Sequence, residues 1–229
     1  MSMLDGPETY RQLDPLGMLQ HLHQFPEQCQ RAWHASTDFA YPRDYVKVEK
    51  VVIAGMGGSA IGADLVRRLA MLENTLPVWV HRDYGLPPFV DRNTLLIFSS
   101  YSGNTEETLS CFNESLRTQA KKMALTTGGK LKDLAEKERV PVLTLDYQAP
   151  PRAAFSHSFV SLLGIFHSLR FLQDKSADMK ESLAVMNRVR QAFDPKGRMN
   201  PGKAIPAGGG CSDGSPGLGR VHPGRKAAL

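Results

Sequence analysis

The sequence lacks long apolar runs and contains little cysteine. No stretch of its 229 residues approaches the roughly 20 consecutive apolar residues that span a bilayer, so we expect no membrane partner. The three cysteines, Cys29, Cys111 and Cys211, form no Cys-x-x-Cys pair, which argues against a structural zinc site. The segment 1–10 carries two acids and no apolar run, so we expect no signal peptide. These absences favour a cytoplasmic protein that holds no metal.

Most of the chain also lacks an excess of either charge. The net charge is +5, yet residues 1–194 contain 22 basic and 22 acidic side chains, and residues 195–229 contain six basic ones and one acid. A protein that binds a phosphate backbone needs its positive charge clustered on a folded face. We therefore expect no nucleic-acid partner.

Residues 195–229 differ in composition from the rest of the chain. They hold nine of the 20 glycines and five of the 15 prolines, with few large apolar side chains. Such a segment buries too little apolar surface to offset the entropy of ordering it, so we predict a disordered tail. Two interpretations stay open: a natural flexible terminus or linker, and a truncation or reading-frame slip after about residue 195–200.

Before this tail, short apolar runs alternate with segments of helical periodicity. The runs predict strands at 51–54, 77–80, 95–98, 122–125 and 141–145. The periodic segments predict helices at 16–33 (broken near Pro26), 60–72, 104–118, 130–138, 155–172 and 177–193. This alternation without hairpin turns predicts an α/β fold, a doubly wound five-stranded parallel sheet flanked by helices. We divide the chain into an N-terminal helical segment (1–44), this domain (45–175), a C-terminal helix (176–194) and the tail (195–229).

Two predicted helices carry apolar stripes. In helix 60–72 one side, expected to pack on the core, is formed by Ile61, Leu65, Leu69 and Leu72. In helix 177–193 the stripe is formed by Leu183, Met186, Val189 and Phe193. If a further domain normally covers this second stripe, it is exposed here, and we then expect the chain to self-associate.

Glycine- and hydroxyl-rich segments follow the first and third predicted strands. We name residues 55–62 (GMGGSAIG) the first loop and residues 99–108 (SSYSGNTEET) the second loop. In parallel sheets, ligands bind at the carboxyl ends of strands. Glycine lets backbone N–H groups approach an anion, the following helix presents its positive end, and hydroxyl groups suit phosphate oxygens. The two loops together predict a phosphate site without a metal.

Each loop allows another interpretation. Gly55-x-Gly57-x-x-Ala60 fits a dinucleotide-binding fingerprint and would indicate an oxidoreductase. That fingerprint needs an acid at the end of the second strand, where Asp83 is a poor candidate, and it leaves the second loop unexplained. In the second loop, Asn104 and Glu107 could form a helix N-cap with its acidic partner. Capping alone does not require the serines at 100 and 102.

The two loops in sequence resemble the SIS (sugar isomerase) domain. More narrowly, they are similar to those of the bifunctional phosphoglucose/phosphomannose isomerases, a family that also places a Pro-Arg-x-x-Phe stretch after its fifth strand, as at residues 151–155. The resemblance covers about residues 17–193. It implies the SIS fold, a small-molecule sugar-phosphate ligand and cofactor-free isomerisation of glucose 6-phosphate or mannose 6-phosphate to fructose 6-phosphate.

The resemblance also implies roles for particular residues. The residues expected to hold the substrate phosphate are Gly58, Ser59, Ser100, Ser102 and Thr105. Arg152 is expected to act in catalysis, because a fixed guanidinium stabilises the enediolate that forms during isomerisation. The alternative for Arg152 is a helix start or a surface ion pair.

Isomerisation also needs a general base and an acid that opens the sugar ring. In the resembled family these groups lie in a second SIS domain, which would follow residue 200, and the family's histidine comes from a partner subunit. We therefore expect this chain to hold the phosphate-binding half, to be inactive alone and to form a homodimer. None of Glu106, Glu107, His157 and His167 is expected to serve as the base. The alternative is an SIS module that binds a phosphosugar without catalysis.

Overall fold

The computed structural model describes residues 13–193. The predicted disorder of residues 195–229 lies outside the described residues, as does the beginning of the N-terminal segment. The four-part division of the chain stays a prediction. Among residues 13–193, no helix combines the length and the apolar character that crossing a membrane requires.

Five parallel strands form one sheet, as the alternating pattern predicts. They are β1 (Lys50–Ala54), β2 (Val78–His81), β3 (Thr94–Ser99), β4 (Lys121–Thr126) and β5 (Val142–Thr144). Their order across the sheet is β2-β1-β3-β4-β5, and every neighbouring pair is parallel. The chain thus winds outward from β1 in one direction and from β3 in the other. This arrangement confirms the doubly wound fold.

Seven helices accompany the sheet in the described residues. They are α1 (Met18–His23), α2 (Phe25–Thr37), α3 (Gly57–Leu72), α4 (Glu106–Ser115), α5 (Gly129–Lys137), α6 (Phe155–Ser168) and α7 (Ser176–Phe193). The leading helical segment breaks at Gln24, and Pro26 lies in the first turn of the next helix, where its missing N–H costs no hydrogen bond.

The sheet buries an apolar layer on each face, because successive side chains of a strand point to opposite sides. On one face, Val51 and Ile53 of β1 pack with apolar side chains from α3 and α6. On the other, Val52 and Ala54 pack with apolar side chains from α4 and α5. These strands therefore read as continuous apolar runs, as is typical of a parallel sheet that is covered on both sides.

The expected inward side of α3 was wrong. The side chains of Ile61, Leu65 and Leu72 are 54%, 41% and 66% exposed, and only Leu69 of the predicted stripe packs against the core. The buried side consists of small residues and one valine: Ser59, Ala60, Gly62, Ala63, Val66 and Ala70. A Cβ atom on Gly62 would lie 3.0 Å from the backbone nitrogen of Phe159 in α6. Close contact between two helix backbones therefore selects small residues on the inner side.

The expectation that the α7 stripe is exposed was wrong for two of its residues. Leu183 and Met186 pack against a cluster of buried residues formed by Cys29, Ala32, Val160 and Met179. Val189 is 50% exposed, as expected, and the side chain of Phe193 lies outside the described residues. Because α2 and α6 cover most of this stripe, it offers less apolar surface for self-association than the sequence indicated.

Candidate functional site

The first and second loops lie side by side at the carboxyl ends of β1 and β3. The strand order reverses between these two strands, and such a reversal opens a ligand-binding crevice in doubly wound folds. The loops touch at their starts, since a Cβ atom on Gly55 would lie 2.7 Å from the carbonyl oxygen of Ser99. Glycine at position 55 is therefore required by this close approach.

The backbone of the first loop presents N–H groups that form no hydrogen bond within the described part of the chain. Helix α3 begins at Gly57, and no side chain caps it. The carbonyl oxygen of Met56 accepts hydrogen bonds from the N–H groups of Ser59 and Ala60, at 3.1 and 3.3 Å. Within residues 13–193, the N–H groups of Gly57 and Gly58 have no protein acceptor. They lie at the positive end of a 16-residue helix, where an anion is stabilised.

The surroundings of these N–H groups leave space for a ligand. Gly57 has a φ of +51°, and no atom lies within 4 Å of the position that a Cβ would take. Gly58 is exposed. The side chain of Ser59 is nearly buried, and its hydroxyl has no hydrogen-bond partner in the described part of the chain. This hydroxyl can therefore donate to a bound anion.

In the second loop, hydrogen bonds within the loop bring two predicted site residues together. The Ser100 and Thr105 hydroxyl oxygens lie 2.8 Å apart, and Ser100 Oγ also accepts from the N–H of Gly103 at 3.1 Å. Ser102 is exposed, and its Oγ accepts from the N–H of Asn104 at 3.3 Å. The loop therefore has a fixed shape, with Ser100 inside it and Ser102 on its surface.

The second loop also packs against the loop between β4 and α5. Gly103 has a φ of +68°, and a Cβ there would collide with the carbonyl oxygen of Gly128. The N–H of Leu131 donates to Gly103 O at 2.9 Å, and the N–H of Lys130 donates to Asn104 Oδ1 at 3.2 Å. Sequence reasoning missed this support, although Gly128-Gly129 after the fourth strand resembles the two predicted loops in composition.

The capping interpretation of the second loop was wrong. The N-cap residue of α4 is Thr105, and no side chain caps the helix. The amide of Asn104 instead donates to Ser102 O at 3.1 Å and accepts from Lys130 at the start of α5. Asn104 therefore links two loops rather than starting its own helix.

Arg152 lies on a 3-10 turn, Pro151–Ala154, that contacts helix α3. Its side chain is exposed, with no hydrogen bond or ion pair to any other described residue. The surface ion pair considered from the sequence is therefore not formed within residues 13–193. Beyond the turn, Ser158 Oγ of α6 lies 3.3 Å from the carbonyl oxygen of Gly58. The chain around Arg152 thus adjoins the helix that begins in the first loop.

A group of aromatic side chains lies beside this turn. The Tyr147 ring stacks on His157 with 4.3 Å between ring centroids, and the Tyr147 hydroxyl lies 2.6 Å from His21 Nδ1. Burial, together with the positive charge of Arg31, lowers the pKa of His157 to about 4. Its Nε2 atom is buried and has no partner among the described residues. His157 is consequently neutral near pH 7 and contributes to packing.

Two of the other residues that we considered as bases, Glu106 and His167, have partners elsewhere. Glu106 accepts a hydrogen bond from the hydroxyl of Tyr84 at 3.2 Å. His167 Nδ1 accepts from the N–H of Lys175 at 3.3 Å and lies 3.7 Å from Asp174. Within residues 13–193, no group of three or more His, Cys, Asp or Glu side chains is arranged to hold a metal ion.

Comparison with known proteins identifies this architecture. Over 179 residues the chain is 41% identical to the bifunctional phosphoglucose/phosphomannose isomerase of Caldicellulosiruptor bescii. The aligned region covers 78% of this chain and 53% of that protein. The described residues have the SIS fold and are homologous to part of that isomerase. A second relative, the D-glucosamine-6-phosphate 4-epimerase of Sulfolobus acidocaldarius, is 32% identical over 59% of this chain and 44% of its own length. The chain spans about half the length of these curated relatives.

A solved structure supports the SIS fold. The tagatose-6-phosphate ketose/aldose isomerase of Escherichia coli superimposes with a TM-score of 0.52, covering 74% of this chain and 52% of that one at 17% identity. At this identity the likeness concerns the fold alone. One family model, described as the C-terminal domain of FAD-linked oxidases, matches residues 175–204. That match begins at α7 and includes none of the sheet or of the two loops, so it does not describe the SIS domain.

Proposed function

We propose that this SIS domain binds the phosphate group of a hexose 6-phosphate in the crevice between the first and second loops. The observation that carries the proposal is that, among residues 13–193, the N–H groups of Gly57 and Gly58 and the neighbouring hydroxyl of Ser59 have no hydrogen-bond partner. Ser102 and Thr105 complete the site from the second loop, and Ser100 holds that loop in shape while contributing its hydroxyl. A phosphate dianion then receives donors from two loops and the dipole of α3.

The relatives favour a sugar phosphate over other phosphorylated ligands. The names of two relatives describe different reactions, isomerisation of phosphoglucose and phosphomannose and 4-epimerisation of D-glucosamine 6-phosphate, yet each names a phosphorylated hexose or hexosamine. Because the present chain is similar to both proteins, we infer that it binds the group that their substrates share, the phosphate. This reasoning assigns the phosphate-binding role to the present domain.

The reaction that we propose is isomerisation of glucose 6-phosphate or mannose 6-phosphate to fructose 6-phosphate. In this proposal Arg152, which is exposed and has no partner among the described residues, contacts the sugar and stabilises the enediolate oxygen. The proton moves between C1 and C2 and requires a base. We assign that base to another domain, corresponding to the half of the relatives that this chain does not cover. The isolated chain should then bind the sugar phosphate without converting it.

Calorimetric titration with fructose 6-phosphate, alongside a coupled turnover assay, tests this function. We expect saturable binding, no turnover and no binding of unphosphorylated fructose. Arg152→Ala should weaken binding about tenfold or more, because a charge-assisted contact is lost. Arg117→Ala is the matched control. Arg117 is also exposed, but it precedes β4 and so lies toward the amino ends of the strands, opposite the two loops. Turnover by the isolated chain would place a base within residues 1–229 and contradict the assignment to another domain.

We also propose that the chain acts as a cytoplasmic homodimer. Helix α3 supports this, because Ile61, Leu65 and Leu72 form an exposed apolar stripe that starts inside the first loop. Light scattering should show a mass that rises with protein concentration, and Leu65→Arg should keep the chain monomeric. A monomer at every concentration would contradict the dimer. Val189→Arg is the control, because Val189 is an apolar residue on α7 that is at least as exposed as Leu65.

A further inference from the structure

Tyr101 lies between Ser100 and Ser102 of the second loop, and hydrogen bonds to Thr127 hold its backbone carbonyl group. The carbonyl oxygen of Tyr101 accepts hydrogen bonds from the N–H of Thr127 at 3.1 Å and from Thr127 Oγ1 at 2.7 Å. Thr127 directly follows β4, so this part of the loop is attached to the sheet. The side chain of Tyr101 is half-buried and points away from that attachment, toward the segment that follows β5.

The hydroxyl of Tyr101 binds that segment at three backbone atoms. It accepts from the N–H of Ala149 at 2.8 Å, and its hydrogen lies within reach of the carbonyl oxygens of Tyr147 and Ala149, at 2.9 and 3.0 Å. From the other side, Tyr147 is held by its stacking on His157 and by its hydrogen bond with His21. Residues 147–149 are therefore fixed between the second loop and two helices.

The position of residues 147–149 determines where Arg152 lies. Two prolines, Pro150 and Pro151, connect Ala149 to Arg152, and a proline ring restricts φ to a narrow range. The N–H of Ala153 also donates to Pro150 O at 2.8 Å, which closes the turn. Since prolines lack an N–H, the Ala149 N–H bound by Tyr101 is the last backbone donor before Arg152 itself. Little freedom remains between the two residues.

We propose that Tyr101 is a positioning residue that fixes Arg152 relative to the bound phosphate. The backbone of Tyr101 is part of the second loop, and its hydroxyl binds residues 147–149, which lead to Arg152. It therefore sets the distance between the phosphate and the sugar atoms that Arg152 contacts. This inference rests on the proposed function, since it gives Arg152 a substrate to contact. Its signature is a loss of affinity for the sugar phosphate without a loss of affinity for phosphate alone.

A double-mutant cycle tests the inference. Tyr101→Phe should weaken fructose 6-phosphate binding about threefold to tenfold, the range expected for one hydrogen-bonding group, and leave inorganic phosphate binding unchanged. In an Arg152→Ala background, Tyr101→Phe should have no further effect on fructose 6-phosphate binding. Hydrogen exchange of the Ala149 amide should accelerate in Tyr101→Phe. Tyr41→Phe is the matched control, because the half-buried Tyr41 hydroxyl also donates to a backbone carbonyl, that of Ser36, away from the site.

A second variant keeps the test independent of changes at Tyr101. Pro150→Gly leaves the tyrosine in place but loosens its connection to Arg152, and it should reproduce the selective loss of sugar-phosphate affinity. Equal losses for fructose 6-phosphate and inorganic phosphate, or additive effects of Tyr101→Phe and Arg152→Ala, would overturn the positioning role. If the unmodified chain bound inorganic phosphate and fructose 6-phosphate with equal affinity, the proposed contact between Arg152 and the sugar would also be wrong. In that case accelerated Ala149 exchange in Tyr101→Phe would show that the contact itself is present.

Discussion

The first and second loops occupy equivalent places at the ends of neighbouring strands, yet they differ in how they use their polar groups. The second loop satisfies most of its own: Ser100 bonds Thr105 and Gly103, and Asn104 bonds the start of α5. The first loop leaves the N–H groups of Gly57 and Gly58 without protein acceptors in the described chain. The second loop is thus held in shape by its own hydrogen bonds, whereas the first loop presents the N–H donors that an anion requires.

The glycines of the two loops show the same difference. Gly57 and Gly103 both have a positive φ, which favours glycine. Around Gly57 a Cβ would meet no atom within 4 Å, whereas at Gly103 it would collide with the backbone of Gly128. A glycine-rich sequence therefore indicates either an open approach for a ligand or a tight contact between loops, and the neighbouring chain decides between them.

The largest expected effect compares these two glycines. Gly103→Ala should lower the free energy of unfolding by about 4 kcal/mol, because strain from the left-handed backbone adds to the collision with Gly128. Gly57→Ala should cost about 1 kcal/mol, since only the backbone strain applies. Urea denaturation of both variants measures the difference. Equal losses of stability would contradict the distinction between an open and a packed loop.

Neither loop contains a histidine, so the pH dependence of stability near neutrality should arise outside them, in part at His157. Its pKa is about 4 in the folded protein, so unfolding releases a group that takes up a proton below its ordinary pKa of 6.5. The contribution of neutral His157 to the free energy of unfolding is complete above pH 6.5 and is lost as the pH falls toward 4. Between about pH 7.5 and 5.0 the loss should reach about 2 kcal/mol.

Urea denaturation at these two pH values measures that change. His157→Phe should reduce the difference between them, and the exposed His34→Gln serves as the control that retains it. An unchanged pH dependence in His157→Phe would show that His157 is charged or accessible in the folded chain.

Ser100 and Ser59 are expected to differ in how much their hydroxyl groups contribute to stability. Ser100→Ala should cost about 1–2 kcal/mol of stability, because its hydroxyl bonds two groups inside the second loop. Ser59→Ala should leave stability nearly unchanged and weaken fructose 6-phosphate binding about tenfold. Thermal denaturation and calorimetry on the same preparations test both statements. A large stability loss in Ser59→Ala would mean that the first loop also depends on its own hydroxyl.

The smallest expected effect on stability concerns Ser102. Its hydroxyl is exposed and bonds only the N–H of Asn104, at 3.3 Å, so Ser102→Ala should change the free energy of unfolding by less than about 0.5 kcal/mol. If Ser102 contacts the phosphate as proposed, the variant still binds fructose 6-phosphate less tightly. A loss of stability as large as that of Ser100→Ala would show that the loop's surface residues also support its shape.

The sequence was sufficient to predict the sheet because buried parallel strands leave a strong signal. All five apolar runs became strands, and the glycine- and hydroxyl-rich loops after β1 and β3 fall where the strand order reverses. The side of α3 that faces inward could not be predicted from hydrophobicity. Close helix contact at Gly62 favours small residues there and leaves Ile61 and Leu65 outside.

Contacts between distant segments were also beyond the sequence. Nothing local to Tyr101 indicates that its hydroxyl binds residues 147–149, since 46 positions separate Tyr101 from Tyr147 in the chain. The link from Asn104 to α5 likewise joins distant segments, so the local pattern left an N-cap at Asn104 open as an alternative. Sequence predicted the residues of the candidate site, and the fold determined which of their polar groups lack partners among the described residues.

The proposed phosphate site is tested most directly by titrating the chain with fructose 6-phosphate and monitoring the amide chemical shifts in NMR spectra. If the first loop binds the phosphate, the N–H signals of Gly57, Gly58 and Ser59 shift most, and inorganic phosphate shifts the same signals. Binding that leaves these three signals unchanged, or that moves signals away from the ends of β1 and β3, would contradict the phosphate site proposed between the two loops.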